Sequence, residues 1–390
     1  NMATVDVLGE ESTFIQTIDK KIFNVGRDIS SSGGNGADVL RKVPSVDVDI
    51  DGVVSIAGDA NVTILIDGKR SGRTGSGRRG EIENIAASMI EKVEVITNPS
   101  AKYDPDGVGG IINIVMKRGA LDGFNGNISA MQGDYKQQNL SGNINYRTDK
   151  LNLFTSMNYR TGDRVGDGIR EFQYAYTNKI DSLFQNTSRT STPSNLGLRI
   201  GGDYYPSTKQ TIGYTLDILD HKEVEQNRID YLVNTINPDF IGENRMEEND
   251  DGYHIDHVIS YENKYDSQEQ LLKAYASFAR EIDDVSETGI MENQYGPEDS
   301  GSSTLENNTN VTLAVDYEDE YGEKLGIETG LKFTIRDFGE NLNYLKDKYE
   351  NDYQEDIYAA YLVTKYDLTD RFGFKLGARF EQVETKANLS

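Results

Sequence analysis

The sequence contains no cysteine, which excludes a disulfide framework and any catalytic or metal site built on a thiolate. It has no apolar run approaching the ~20 residues that a transmembrane helix needs. The first twelve residues lack the basic and apolar regions of a signal peptide, so no export signal is expected among them. Disulfide-stapled domains, thiol enzymes and helical membrane proteins are therefore not predicted.

Basic residues are also scarce, and the resulting net charge of −25 is unevenly distributed. Residues 1–118 hold 14 Lys/Arg against 17 Asp/Glu, while the remainder holds 26 against 48. A surface for nucleic-acid phosphates needs the opposite sign, so no nucleic-acid partner is predicted. The acidic C-terminal part has two possible interpretations: the charge keeps the protein soluble, or it belongs to acidic loops that attract cations.

From residue 119 onwards, apolar and polar residues alternate with a period of two. Phe372, Phe374, Leu376, Ala378 and Phe380 form the clearest series, and 38 glycines and 23 tyrosines suit many twisted strands. We predict a mainly β architecture with about ten to fourteen strands after residue 118. Alternation alone fits an outer-membrane barrel and a soluble β protein equally well. Polar stretches at 223–228, 247–251 and 292–308 are predicted to be long loops.

The first 118 residues predict a small α+β unit. Asn35 is the candidate cap of a short helix over 35–42, which Pro44 ends. Paired Gly109 and Gly110 indicate a close backbone approach ahead of an apolar strand. The remaining expected elements are a hairpin over 46–56, a strand over 61–66, an amphipathic helix from Ile82 to Ile90, and strands over 93–97 and 111–116.

Four ordered motifs in this first part carry a family resemblance. They are Ala37-Asp38-Val39-Leu40 with Val43-Pro44-Ser45-Val46, then Ile64-Leu65-Ile66-Asp67-Gly68-Lys69, then Ile90-Glu91-Lys92-Val93-Glu94-Val95 with Asn98-Pro99-Ser100-Ala101-Lys102-Tyr103, and finally Gly109-Gly110-Ile111-Ile112-Asn113-Ile114-Val115. Together they closely resemble the plug domain of TonB-dependent outer-membrane receptors, in variants of the Bacteroidota type. The resemblance implies a candidate TonB box in an extended segment at 1–12, a plug domain at 13–118, and the N-terminal part of a transmembrane β-barrel at 119–390.

The same resemblance implies a location, partners and site residues. The protein is expected in the outer membrane of a Gram-negative cell, in contact with lipid, the periplasmic TonB protein and an external ligand. Thr4, Val5, Asp6 and Val7 resemble the TonB box, although an ordinary lead-in strand is the alternative. The segment after Asp67-Gly68 resembles the plug apex, where four arginines would meet an anionic ligand: Arg70, Arg73, Arg78 and Arg79. A solvated loop without a ligand role is the alternative there.

Receptors of this family resemble 22-stranded barrels, which is more strands than residues 119–390 supply. The end of the sequence also lacks the terminal aromatic strand typical of such barrels. We therefore expect a chain truncated at its C-terminus, and at its N-terminus as well.

Three other motifs predict no site. Gly75–Gly80 matches GxGxxG, but an eight-residue separation from the preceding strand and the lack of a following βαβ run argue against a dinucleotide. Asp47–Gly52 copies half of an EF-hand loop without its closing glutamate. His254 and His257 would lie on opposite faces of a strand, and His221 adds no third zinc ligand. We predict no catalytic residue, no cofactor and no metal site.

The sequence thus predicts a TonB-dependent receptor for active uptake of a scarce ligand, first of all a ferric siderophore. Import of glycans or peptides is the alternative within the class. A non-transporting adhesin, structural or signalling barrel is a rival, as is a soluble nucleotide-binding enzyme built on the glycine-rich loop.

Overall fold

The computed structural model divides into two compact units, at Asn1–Arg118 and Gly119–Ser390. It describes the residues 14–16, 20–25, 35–49, 53–70, 82, 85, 87, 90–105, 109–116, 123–176, 179–234, 241–265, 270–293, 296–322, 324–344, 347–369 and 372–389. Among these residues, no helix combines the length and the apolar character needed to cross a bilayer.

The first unit is built on a six-stranded sheet with one short helix, α1 (Gly36–Leu40). The sheet order is β1-β2-β7-β8-β5-β6, in which β5 and β8 are parallel and the other neighbours antiparallel. A separate hairpin pairs β3 with β4. The strands are β1 (Phe14–Gln16), β2 (Lys21–Asn24), β3 (Val46–Val48), β4 (Val54–Ile56), β5 (Val62–Ile66), β6 (Lys69–Arg70), β7 (Ile90–Ile96) and β8 (Gly110–Met116).

Local sequence determines where α1 begins. The side chain of Asn35 accepts a hydrogen bond from the Asp38 backbone N–H, and the Asp38 side chain accepts one from the Asn35 N–H. This reciprocal cap satisfies backbone donors that have no partner within the helix, and such a cap contributes about 1 kcal/mol. The predicted helix, its Asn35 cap and the 46–56 hairpin are confirmed.

The core of the first unit lies on β7, β8 and α1. Ile112 and Ile114 of β8 and Val93 of β7 are fully buried, and Leu40 of α1 packs into the same cluster. Fully burying one such side chain contributes roughly 1.5–3 kcal/mol. The predicted strands over 61–66 and 111–116 are confirmed to within one residue at each end, and the strand predicted over 93–97 is confirmed as β7, which begins three residues earlier.

The amphipathic helix predicted from Ile82 to Ile90 is corrected at its C-terminal end. Ile90 is the first residue of β7 and pairs with Met116. Its apolar side chain satisfies the helical period, but it is equally suited to the strand that follows, and pairing with β8 decides between them. Of the other residues in that segment, the structure describes only 82, 85 and 87.

Gly109 and Gly110 lie where the backbone before β8 passes other chain segments. A Cβ on Gly109 would lie 2.9 Å from the Asn61 carbonyl oxygen, and Gly110 adopts a φ of +121° close to the Ile96 carbonyl. Neither position tolerates a larger side chain without rearrangement. The close approach predicted from the glycine pair is confirmed.

The second unit is a single antiparallel sheet of twelve strands within the described residues, which agrees with the ten to fourteen expected. Its order is β20-β19-β18-β17-β16-β15-β14-β13-β11-β10-β9, and β12 also pairs with β13. The strands are β9 (Gly123–Gln132), β10 (Gln138–Arg147), β11 (Leu151–Thr161), β12 (Arg164–Tyr176), β13 (Lys179–Ser207), β14 (Gln210–Asn234), β15 (Ile241–Lys264), β16 (Leu271–Asn293), β17 (Gly296–Tyr321), β18 (Leu325–Tyr344), β19 (Asp347–Thr369) and β20 (Phe372–Leu389).

The long loops predicted at 223–228, 247–251 and 292–308 are wrong. Except for positions 294 and 295, which lie outside the described residues, these stretches belong to β14, β15, β16 and β17. Their charges are matched across neighbouring strands, as in the Arg189–Glu225 ion pair at 2.6 Å and the Lys222–Asp251 pair at 2.9 Å. Polar composition is typical of irregular structure, but pairing of charged side chains across neighbouring strands accommodates these residues in a β-sheet.

Candidate functional site

One face of the twelve-stranded sheet exposes large apolar side chains. Leu331 is 66% exposed and Phe380 is 70% exposed. The same face carries further exposed residues on several strands: Phe124, Ile128, Leu153, Met157, Ile200, Ile212, Ile259, Leu313, Val315, Leu362, Phe372, Phe374 and Leu376. In water such a surface would be a severe aggregation hazard, whereas in a bilayer it is the favourable lipid contact of a transmembrane barrel.

The strands are much longer than a bilayer requires. β15 has 24 residues, which span about 80 Å along the strand and about 55 Å along the membrane normal at a tilt of about 45°. The hydrocarbon core is only about 30 Å thick. The exposed apolar residues of β14 and β15 lie toward the 208–209 turn, and the charged stretches lie toward the other end. The corrected loop segments are therefore strand extensions beyond the apolar band.

The opposite face of the sheet carries a hydrogen-bonded polar network. Asn152 of β11 is fully buried, and its side chain oxygen accepts a hydrogen bond from Asn145 Nδ2 at 2.6 Å. Asn152 Nδ2 donates in turn to Asp203 Oδ2 at 3.2 Å. The chain of contacts crosses β10, β11 and β13, so the less exposed face of these strands is polar and is linked by side-chain hydrogen bonds.

The sheet of the first unit contains a buried carboxylate, Glu94 on β7. Its side chain is 9% exposed and contacts the ammonium groups of Lys20 and Lys92, each at 3.1 Å. Asn113 Nδ2 of β8 donates to Glu94 Oε2 at 3.0 Å, and Asn113 Oδ1 accepts from the Gly68 N–H at 2.7 Å. The network therefore connects the residue before β2, the strands β7 and β8, and the turn that follows β5.

The environment of Glu94 favours its charged form. Burial by itself would raise the pKa of this carboxyl, but the hydrogen bonds from Asn113, Lys20 and Lys92 hold the pKa below its ordinary value. The sequence pattern predicts that Glu94 occupies a polar position in a strand of alternating residues. In the structure Val93, Glu94, Val95 and Ile96 are all buried, because β7 is covered on both faces.

The predicted ligand-binding and TonB-contacting residues fall mostly outside the described residues. This holds for Arg73, Arg78 and Arg79 of the predicted apical loop and for Thr4 to Val7. Arg70 is described as the last residue of β6, where it pairs with Leu65. Ligand binding by the four arginines and TonB contact by Thr4 to Val7 therefore remain predictions.

A group of possible metal ligands was missed by sequence reasoning. His221, Asp250 and Asp283 each offer one ligand atom, and these atoms lie within 4.8 Å of one another. The three residues lie on β14, β15 and β16 and are as many as 62 positions apart in sequence. Only the strand register brings them together, and no motif spacing would have found them.

Two family models match different parts of this chain. Residues 26–111 match the TonB-dependent receptor plug domain, and residues 263–390 match an outer membrane protein β-barrel family. The first match falls in the unit with the small mixed sheet, and the second in the unit whose sheet exposes an apolar face.

Solved structures similar to this chain include siderophore receptors at low sequence identity. The ferric yersiniabactin uptake receptor FyuA from Yersinia pestis has 12% identity and a TM-score of 0.42, with 94% of this chain and 72% of that chain covered. A variant of the ferric enterobactin receptor PfeA from Pseudomonas aeruginosa has 12% identity and a TM-score of 0.34, with 95% and 92% covered. The siderophore receptor PirA from the same organism has 13% identity and a TM-score of 0.33, with 96% and 100% covered.

Proposed function

We propose that this chain imports a ferric siderophore by TonB-driven movement of its plug. It combines the plug domain of TonB-dependent receptors with strands of an outer-membrane β-barrel family, and so belongs to the TonB-dependent outer-membrane receptors. The proposal includes no enzymatic step. The protein spans the outer membrane as a multi-pass β-barrel.

The observation that carries the transport proposal is a plug domain preceding barrel strands in one chain. A barrel alone would serve equally well as a passive pore or an adhesin. A plug makes sense for a pathway that opens only when work is done on it.

The ligand proposal depends on the predicted apical loop. Four arginines in ten residues, at 70, 73, 78 and 79, supply planar donors suited to carboxylate or catecholate oxygens of an anionic iron chelate. The predicted sequence of events begins with ligand binding at this loop and at outer strand ends. The segment Thr4 to Val7 then pairs with the periplasmic TonB protein as an added strand, and force derived from the inner-membrane proton gradient moves the plug.

The first experiment measures uptake of radiolabelled ferric siderophores by cells that express the complete gene, with and without TonB. We expect uptake only when TonB is present. Correct outer-membrane insertion without uptake of any siderophore would overturn the iron proposal and favour glycans or peptides. Ligand retention that is independent of TonB would instead favour an adhesin or a signalling barrel.

A pair of variants separates energy coupling from ligand binding. Val5→Pro removes a backbone donor and blocks strand pairing with TonB, so uptake is expected to fall while ligand binding persists. Val5→Ala keeps the donor and is the matched control. Equal uptake by the two variants would remove Thr4 to Val7 from the mechanism.

A second set of variants tests the arginines. Replacing Arg70, Arg73, Arg78 and Arg79 with Gln is expected to weaken binding of an anionic chelate about 1,000-fold, because each of the four lost charge-assisted hydrogen bonds costs about 1 kcal/mol. Neutralising Lys150 and Lys209, exposed cations at strand turns, is the matched control. Unchanged affinity in the fourfold variant would show that the loop has no ligand role.

A further inference from the structure

A histidine and two aspartates meet on the polar face of three neighbouring strands. His221 of β14 is the register partner of Gly252 in β15, and Gly252 is the register partner of Asp283 in β16. Asp250 precedes Gly252 by two residues and therefore lies on the same face. His221 Nε2 is 3.5 Å from Asp250 Oδ1 and 3.5 Å from Asp283 Oδ1.

Gly252 explains how side chains from the two outer strands reach each other across the middle one. A Cβ at this position would lie 2.0 Å from His221 Cε1 and 2.2 Å from Asp283 Oδ1. No other amino acid fits there unless both ligand groups move. Glycine weakens a strand interior, so its presence between these two groups marks a close approach that the sheet accommodates.

The three groups are partly withdrawn from water. The side chain of Asp283 is 8% exposed, that of His221 is 21% exposed and that of Asp250 is 31% exposed. Asp250 Oδ1 is buried and accepts no hydrogen bond from the described residues. Two carboxylates held this close repel each other unless a cation lies between them.

Neighbouring residues on the same face increase the negative charge. Glu223 is the register partner of Asp250, and Glu306 is the register partner of Asp283. Glu281 precedes Asp283 by two positions, so it lies on the same face, and it is buried. Such a concentration of carboxylates attracts cations to the site.

We propose that His221, Asp250 and Asp283 bind a divalent transition-metal cation of the Zn²⁺ type. Bonds of about 2.0–2.2 Å to a tetrahedral ion place neighbouring ligand atoms about 3.4 Å apart, close to the 3.5 Å between His221 Nε2 and each aspartate oxygen. One imidazole with two carboxylates suits Zn²⁺, whereas Ca²⁺ prefers six to eight oxygen ligands. A fourth position would be open to water or to an incoming group.

The site lies outside the apolar band of the strands. At the same level, the opposite face of the sheet carries the exposed Lys222–Asp251 ion pair, which has no place in hydrocarbon. An ion here would link β14, β15 and β16 just beyond the lipid-facing segment. This inference is independent of the uptake proposal, since it requires neither TonB nor a siderophore.

The test is a Zn²⁺ titration of the full chain in detergent against a chromogenic chelator, with Co²⁺ absorption as a second readout. We expect a saturable site of one ion per chain and an intense tetrahedral Co²⁺ spectrum. His221→Gln and Asp283→Asn are expected to weaken binding more than ~100-fold, since loss of an outer-shell partner alone costs 10–100-fold. His257→Gln is the matched control, because His257 lies on the opposite face beside Tyr214.

Gly252→Ala tests the geometry without removing a ligand. We expect it to abolish tetrahedral Co²⁺ absorption, while Gly326→Ala in β18, where an added Cβ meets nothing closer than 3.5 Å, leaves the spectrum unchanged. Folding of Gly252→Ala is judged by heat-modifiable electrophoretic mobility. If that variant does not fold, Asp250→Asn, at the most exposed ligand, is the milder variant. Absence of saturable binding in the native chain, or equal binding in the His221 and His257 variants, would overturn the proposal.

Discussion

In the first unit the least exposed side chains are mainly Ile, Val and Leu, whereas in the second unit they are mainly Asn, Asp, Ser and other polar residues. The most exposed side chains of the second unit include Ile128, Leu331 and Phe380. Both units are built from strands, so the difference does not come from secondary structure. It comes from where the apolar side chains lie, since those of the first unit are buried in its core and those of the second unit form an exposed band suited to lipid.

The largest expected effect comes from opening a cavity in the apolar core of the first unit. Ile112→Ala removes a side chain that is fully buried on β8, and we expect a loss of roughly 3–4 kcal/mol of stability. Hydrogen exchange of the amides in residues 90–116 of the full chain measures the effect. Ile128→Ala, at a position 82% exposed on β9, is the control and is expected to leave that exchange unchanged. Equal responses would mean that β8 does not form the core.

A charge on the apolar face of the second unit is the converse test. Leu331→Arg is expected to cost about 3 kcal/mol in a bilayer, because an arginine near the midplane must be solvated there. Urea unfolding in lipid vesicles measures the cost. Val224→Arg, on the polar extension of β14, is the control and is expected to cost less than about 1 kcal/mol. A small cost at Leu331 would contradict its assignment to the lipid-facing band.

On the polar face, an apolar substitution is expected to destabilise the sheet instead of strengthening it. Asn152→Leu leaves Asn145 and Asp203 without their shared partner, and we expect a cost of roughly 2 kcal/mol. The same vesicle assay applies, with Asn127→Leu at an exposed position of β9 as the control. A neutral or stabilising result at Asn152 would show that the network is dispensable.

Glu94 is a buried charged residue in the otherwise mainly apolar interior of the first unit, and it predicts a pH dependence of stability. Its folded-state pKa lies below the ordinary value, so its contribution to stability is present above about pH 4.5 and is lost as the pH falls through the folded-state pKa. Glu94→Gln is expected to lower stability at pH 7 by about 1–2 kcal/mol, and the gap from the parent chain should close on acidification. Hydrogen exchange of the β7 and β8 amides measures this difference in stability, and Glu91→Gln, at an exposed position, is the control. A gap that persists at low pH would rule out the charge as its cause.

The smallest effect concerns a local feature that packing hardly influences. Asn35→Ala removes the helix cap and is expected to cost about 1 kcal/mol, confined to α1 and its contacts. Asn35→Asp retains an acceptor and is the control. The measurement is exchange of the amides of residues 36–41, and equal protection in both variants would contradict the role of the cap.

Sequence reasoning succeeded where the signal is local. The Asn35 cap, the 46–56 hairpin and the Gly109–Gly110 approach each depend on residues close together in the chain or on glycine's missing Cβ. It failed at the polar strand extensions of β14 to β17, because a segment rich in charged residues, considered alone, has the composition of a loop. Their partners, such as Arg189 for Glu225, are supplied by another strand.

The motifs by themselves identified the plug domain in the first part of the chain, because its signature is a run of short patterns that needs no long-range information. Alternation determined that the second unit is built of strands with one apolar face. Only the tertiary structure decided that Glu94 is buried on a strand covered on both sides, and that His221, Asp250 and Asp283 meet above Gly252. The physical reason is register: a shift of one residue in a pairing turns every side chain to the other face, and no single stretch of sequence specifies that pairing.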